Sequence, residues 1–283
     1  MHRTSSNSSR TWLGCYSCLV AGIALSLNCR AQADDTSDLM SFVLAKQAES
    51  RQRIETASYR LDAIYDSAHS GQSSVETTAR IRRSGQRLYV EMRKVQHKNE
   101  NAVESDARVV LNDTYSAFWR VGAATAYQFM QDSIKEVPKR ASDRYGRFVP
   151  RDPLLYAFGT GSVELASLVA ETKDVKNLWE VNQQAEKENR TFVVTQFRSP
   201  ENRNPAITFH VSPSQGFFVT KVTVYAPDGS IMQENSLTPT WIEAKGLWFP
   251  TKITESVSAV GLEGKKVRVS FREINVTDLS IRD

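Results

Sequence analysis

Among residues able to do chemistry, His69, His97 and His210 lie far apart, and none has a second ligand-type residue at metal spacing. His210 falls between Phe209 and Val211, so strand alternation turns it to solvent. Gly159-Thr160-Gly161-Ser162 precedes a helical pattern and has the outline of a phosphate cradle. It lacks the P-loop lysine and G-x-G-x-x-G spacing, so it reads as a helix entry with a serine cap. There is no G-x-S-x-G elbow. The carboxylates are scattered among basic residues, as on a wetted surface. A secreted hydrolase using two acids would need a pair that meets only on folding. No catalytic residue, metal or cofactor is therefore assigned. One basic run stands out over 135–151: Lys135, Lys139, Arg140, Arg144, Arg147 and Arg151, interrupted by Glu136 and Asp143. It reads either as a solvated loop or as a contact for a lipoprotein, an acidic partner or an anionic membrane surface.

The stronger candidate chemistry is apolar. Phe118, Trp119, Tyr127, Phe129, Trp179, Phe217, Phe218, Trp241, Trp248 and Phe249 make the strands aromatic-rich. Strand parity gathers Tyr59, Leu61, Leu88, Val90, Phe209, Val222, Val224, Phe249, Ile253 and Phe271, with Ile207 and Val269, on apolar sides. These side chains line a ligand pocket if the interior is hollow, and form a plain core if it packs solid.

The elements that would position them follow from periodicity. Residues 38–56 lack Pro and Gly, and Leu39, Phe42, Val43 and Ala45 make one side of a helix that Ile54 resumes. Alternation then takes over at Tyr59–Tyr65, Val75–Ile81 and Leu88–Met92, followed by a polar stretch at 96–106 and short strands over 107–130. A helix is expected at Val163–Glu171. Glu171–Arg190 fits either a helix, through Val175, Leu178 and Trp179, or a hairpin of Leu178–Gln183 with Thr191–Arg198, which the clear strand at 191–198 favours; Pro227-Asp228-Gly229 turns another hairpin. Strands continue around Val257 and Val267–Phe271. The predicted class is α+β, with strands dominant.

The 283 residues are 40% hydrophobic and 24% charged, which suits one globular core. Arg3 and Arg10, the apolar stretch Trp12–Leu27 and Ala31-Gln32-Ala33 compose a secretory signal cut before Asp34. The alternative is a lipid-anchored start at Cys29. Domain organisation is then a signal peptide, 1–33, and one β-rich domain, 34–283. All three cysteines (Cys15, Cys18, Cys29) precede residue 34, so the exported part has no disulfide or thiol chemistry. The net charge of +4 falls to 33 basic against 32 acidic side chains over 34–283, which argues against a nucleic-acid partner.

The order helix, strands, central helix, hairpins resembles the LolA/LolB-like superfamily of periplasmic lipoprotein carriers. The features that carry the likeness are the helix feeding Tyr59–Tyr65, Asp152-Pro153-Leu154-Leu155 ahead of the second helix, the Asp228-Gly229 hairpin and Gly246-Leu247-Trp248-Phe249-Pro250. The resemblance spans about 38–283. It implies a single strongly curved antiparallel sheet, an open half-barrel, with two or more helices closing its mouth. It also implies a non-enzymatic protein holding an acyl chain, lipid or lipoprotein there. An envelope-sensing or scaffolding module on the same fold is the competing implication.

Overall fold

A computed structural model describes residues 36–67, 73–85, 87–98, 101–111, 115–120, 126–130, 151–186, 189–260 and 266–282. The expected export segment, Cys29, His69, Lys135, Lys139, Arg140, Arg144 and Arg147 lie outside these residues, as do the side chains of Phe118, Trp119, Tyr127 and Phe129.

The first helix, α1, runs over 36–52. Met40, Val43 and Gln47 form its buried stripe at helical spacing, whereas Phe42 is 45% exposed. The helix ends four residues earlier than expected, in a turn where the Ile54 amide donates to the Arg51 carbonyl. Six strands follow: β1 (Thr56–Ser67), β2 (Ser73–Ser84), β3 (Arg87–Lys98), β4 (Asn101–Leu111), β5 (Tyr115–Arg120) and β6 (Ala126–Met130). Most of the polar stretch 96–106, to which no element was assigned from the sequence, is strand. Its charges pair across the ladder, as Arg93 does with Glu104 at 2.5 Å, so polarity there marks a wet face and not a loop.

Two short helices come next, α2 (Pro153–Ala157) and α3 (Leu165–Glu171). The first was not foreseen. Its sequence nonetheless carries the start signal: Asp152 caps it through Leu154 N at 2.9 Å, with Pro153 opening its first turn. Strands β7 (Trp179–Glu186), β8 (Asn189–Phe197), β9 (Pro205–Ser212), β10 (Phe218–Tyr225), β11 (Ile231–Ile242), β12 (Leu247–Val260) and β13 (Lys266–Ile281) complete the chain.

Among the described residues, thirteen strands form one open antiparallel sheet in the order β6-β5-β4-β3-β2-β1-β13-β12-β11-β10-β9-β8-β7. Two meanders meet where β1 pairs with β13, and β6 and β7 are the outer strands. The sheet is curved like a half-barrel. One core cluster draws buried side chains from β1–β4, β10–β13 and α2 together; a second joins β7–β10 to α1 and α3. Bulges keep the apolar positions in phase. The irregularity between Val219 and Lys221 leaves Val219 and Val222, three apart, both buried. Another, opposite Ser58 and Arg60, does the same for Val276 and Ile281.

The Gly159–Ser162 turn is not a serine cap. Ser162 is exposed, and the residue before α3 is Glu164, which pairs with Arg51 of α1. The turn is held by Thr160, whose hydroxyl accepts from Val163 N at 3.1 Å. Gly161 sits at φ +85° with the Tyr156 ring where a Cβ would go, 2.3 Å from the nearest ring carbon. Gly161→Ala should lower the thermal midpoint by roughly 6–12 °C, from about 3 kcal/mol of strain and overpacking. A melt within 2 °C of the parent would contradict this packing.

Candidate functional site

The site is built from the side of the sheet that carries the helices. The opposite side is a polar ladder, with pairs such as Lys252–Glu273 at 3.3 Å and Lys221–Glu234 at 2.8 Å. On the helix-bearing side, Tyr59, Leu61, Val90, Phe249 and Ile253 are buried in the cluster under α2, and Leu88 is half-buried against it. Phe209 and Val222 are buried in the cluster under α1 and α3, with Val224 and Ile207 packed at its margin. Strand parity thus brings these expected lining residues to two adjoining apolar floors. Phe271 does not join them. It lies opposite Asp66 and Ser256, on the other side of the sheet from Ile253 and Ile274. The inward positions of β13 are Arg272, Ile274 and Val276, so apolar character alone misassigned this strand's phase. Val269 adjoins the β12–β13 register shift and falls outside the regular alternation.

Two polar clusters pin α2 to its floor. In the first, Asp152 accepts from the Tyr59 hydroxyl at 2.9 Å and pairs with Arg83 while capping the helix. Burial, reinforced by Asp152, holds the Tyr59 hydroxyl well above its ordinary titration range. In the second, Glu255, 6% exposed, accepts from Tyr156 at 2.6 Å and pairs with Arg151 at 2.8 Å and Arg272 at 3.4 Å. Burial first, then Glu255, pushes Tyr156 up to about 12. Arg272 also lies 5.1 Å over the Tyr65 ring. Of the basic run expected to face solvent or a membrane, the described member, Arg151, is committed to Glu255.

Lys94, on β3 one step beyond buried Met92, completes this end. Burial, then the neighbouring Arg272, pulls its ammonium from 10.5 down to about 8. The folded chain therefore releases this proton at lower pH than the unfolded chain. Lys94 costs stability at neutral pH, and the cost disappears as pH rises from about 8 to 10.5. Lys94→Met should raise unfolding free energy by about 1–2 kcal/mol at pH 7, the range after discounting for partial exposure. Urea titrations should show the gain shrinking at pH 10.5; a destabilised variant at pH 7 would contradict it.

A separate cleft of about 210 Å³ opens where the turn after β9, the β11–β12 hairpin and the end of α1 meet. Trp241, 46% exposed, contacts Trp248 edge-on with centroids 5.5 Å apart. Arg53 donates to the Gly246 carbonyl at 2.7 Å beside Ile54, Pro213 and Phe218.

No protein-family model matches the sequence, and comparison with curated proteins finds no relative. Comparison with solved structures finds distant likenesses. This chain is similar to a LolA superfamily protein from Nitrosomonas europaea, with 10% identity, 86% of this chain and 93% of that one covered, and a TM-score of 0.43. It is similar to a DUF1329 family protein from Desulfovibrio piger at 10% identity, over 85% and 92% of the two chains, TM-score 0.43. A third is described as an outer membrane lipoprotein-sorting protein domain, from Vibrio parahaemolyticus, with 10% identity, 84% and 92% covered and a TM-score of 0.41. These likenesses carry no residue correspondence.

Sequence reading missed Asp152, Arg83, Tyr156, Glu255, Arg272 and Lys94. Asp152-Pro153 was a visible capping signal. Partners such as Tyr156 and Glu255, 99 positions apart, carry no local signal at all.

Proposed function

We propose that this chain is an exported, non-enzymatic binding protein that holds an apolar ligand, an acyl chain or lipid, between the helix-bearing side of its sheet and helices α1–α3. The supporting observation is the make-up of the cover. Apolar side chains from most of the sheet are capped by separate helices, and α2 and α3 are only five and seven residues long. Helices that short have no stability of their own. They rest on packing and on the Asp152 and Glu255 clusters, and they can shift without breaking a strand. They pack onto the floors, so a ligand between helices and sheet replaces some of these contacts.

A 14-carbon chain gains roughly 10 kcal/mol from burial. Ordering the chain and losing its translational freedom, together with displacing the helices, takes back several. Micromolar affinity with low selectivity for chain length is the outcome. Titration of residues 34–283 with a fluorescent fatty acid should saturate in the micromolar range and be displaced by unlabelled lipid. Non-saturable binding would remove this reading. The second reading, an envelope docking or scaffolding module, is favoured by exposed Trp241 at its cleft. It predicts no lipid binding at all.

A further inference from the structure

The cleft beside Trp241 shares its inner wall with the core. Ile54, Phe218 and Leu247 line it, and each is also a buried member of the cluster under α2. Trp248, half-buried, packs against that cluster and meets exposed Trp241 edge-on. Apolar surface therefore continues from solvent at Trp241 to the floor beneath α2. At depth the Phe218 ring meets Phe158, the C-cap of α2, with centroids 5.4 Å apart. The polar clusters pin α2 at Asp152 and Tyr156. At the Phe158 end the contact is ring against ring, and rings slide without breaking a hydrogen bond.

Two ties frame the opening. Gln47 of α1, 5% exposed, donates to the Phe217 carbonyl at 3.1 Å, and Arg53 donates to the Gly246 carbonyl at 2.7 Å. They hold the helix to the β9–β10 turn and to the β11–β12 hairpin, and the cleft lies between these two turns. The β11–β12 ladder ends there with the pairs Trp241–Trp248 and Ile242–Leu247. A chain entering at this place passes beyond the end of the ladder and leaves its hydrogen bonds intact.

The β9–β10 turn keeps the opening clear at a cost in strain. Phe217 holds φ +57°, left-handed backbone that a bulky residue seldom adopts. Its ring is directed to Phe42 and Phe192, with centroids 5.7 and 6.2 Å away, beside the cluster under α1 and α3. The turn presents Ser214 and Gly216 to the cleft instead, small residues where a ring would plug it.

We infer that this cleft is the portal of the apolar site: a single-chain amphiphile enters tail first between Trp241 and the β9–β10 turn and passes Phe218 to reach the floor beneath α2. This rests on the lipid-binding reading above and adds the ligand's route.

Stopped-flow measurements with a fluorescent fatty acid on residues 34–283 test it. Ser214→Trp places an indole on the cleft wall at an exposed position. It should slow entry and exit alike, by about tenfold, with the equilibrium affinity within about twofold of the parent. A plugged passage gives that pattern, because one barrier is raised for both directions. Trp241→Ala removes the outer lip and should speed both rates by about threefold. Ser236→Trp, exposed on the other side of β11 from buried Asn235 and Leu237, should leave both rates at the parent values. Parent rates in either cleft variant would overturn the portal and leave the lipid reading standing. Weaker affinity with faster exit in Ser214→Trp would make the cleft a seat and would also overturn it. Absence of saturable binding to the parent chain would remove the lipid reading and the route together.

Discussion

Replacing Asp152 with Ala should destabilise the chain by about 3–5 kcal/mol, a large fraction of the 5–15 kcal/mol typical of a folded domain. Three losses coincide. The α2 cap goes, since Leu154 N loses its acceptor. The Tyr59 hydroxyl, on a residue 3% exposed, loses its partner. Arg83, with only 13% of its side chain exposed, loses its paired carboxylate and keeps only the weaker field of Glu164. The stranded charge dominates, because a cap alone is worth about 1 kcal/mol. Adding Arg83→Met to Asp152→Ala should therefore recover part of the loss. Urea unfolding of the single and double variants would show it; a single-variant cost under 1 kcal/mol would mean that Asp152 does not hold α2 down.

Glu255→Ala should cost a similar 3–5 kcal/mol by leaving Arg151 and Arg272 without their carboxylate. It also offers a second readout, independent of stability. Glu255 is the second cause, after burial, of the raised Tyr156 titration near 12. In Glu255→Gln the Tyr156 titration should move down from about 12, while burial keeps it above the ordinary tyrosine range. An unchanged alkaline tyrosinate titration would contradict the contact. The two carboxylates pin opposite ends of one five-residue helix, so both variants should also loosen α2 and ease ligand entry.

Much of the sheet was legible because alternation is a local signal. Tyr59–Leu61 and Leu88–Val90–Met92 keep a strict period of two, and the hairpin from Trp179 to Phe197 pairs as its sequence suggested. Legibility failed where two patterns compete. In β13 the outward Phe271 is as apolar as the inward Ile274, and Arg272 faces in, so composition pointed to the wrong phase. In β4 both faces are polar at one end, so no alternation showed there and the segment read only as a polar stretch. Helix α2 is too short to show a period, leaving only its Asp-Pro start. The charged end of the site was hidden for a topological reason. Lys94, Arg151, Glu255 and Arg272 come from four separate segments, and only the β1–β13 pairing that joins the two meanders brings Lys94 and Arg272 to one place.

Hydrogen exchange followed by mass spectrometry, with and without saturating myristate, tests most directly where the ligand is held. Ligand inserted under the helices should change amide exchange in Pro153–Ala157 and Leu165–Glu171 by about tenfold or more, with further protection on β1, β3 and β12, while the outer ends of β5 and β7 stay as they were. Exchange altered only around Trp241 and Trp248, or nowhere, would contradict an interior lipid site.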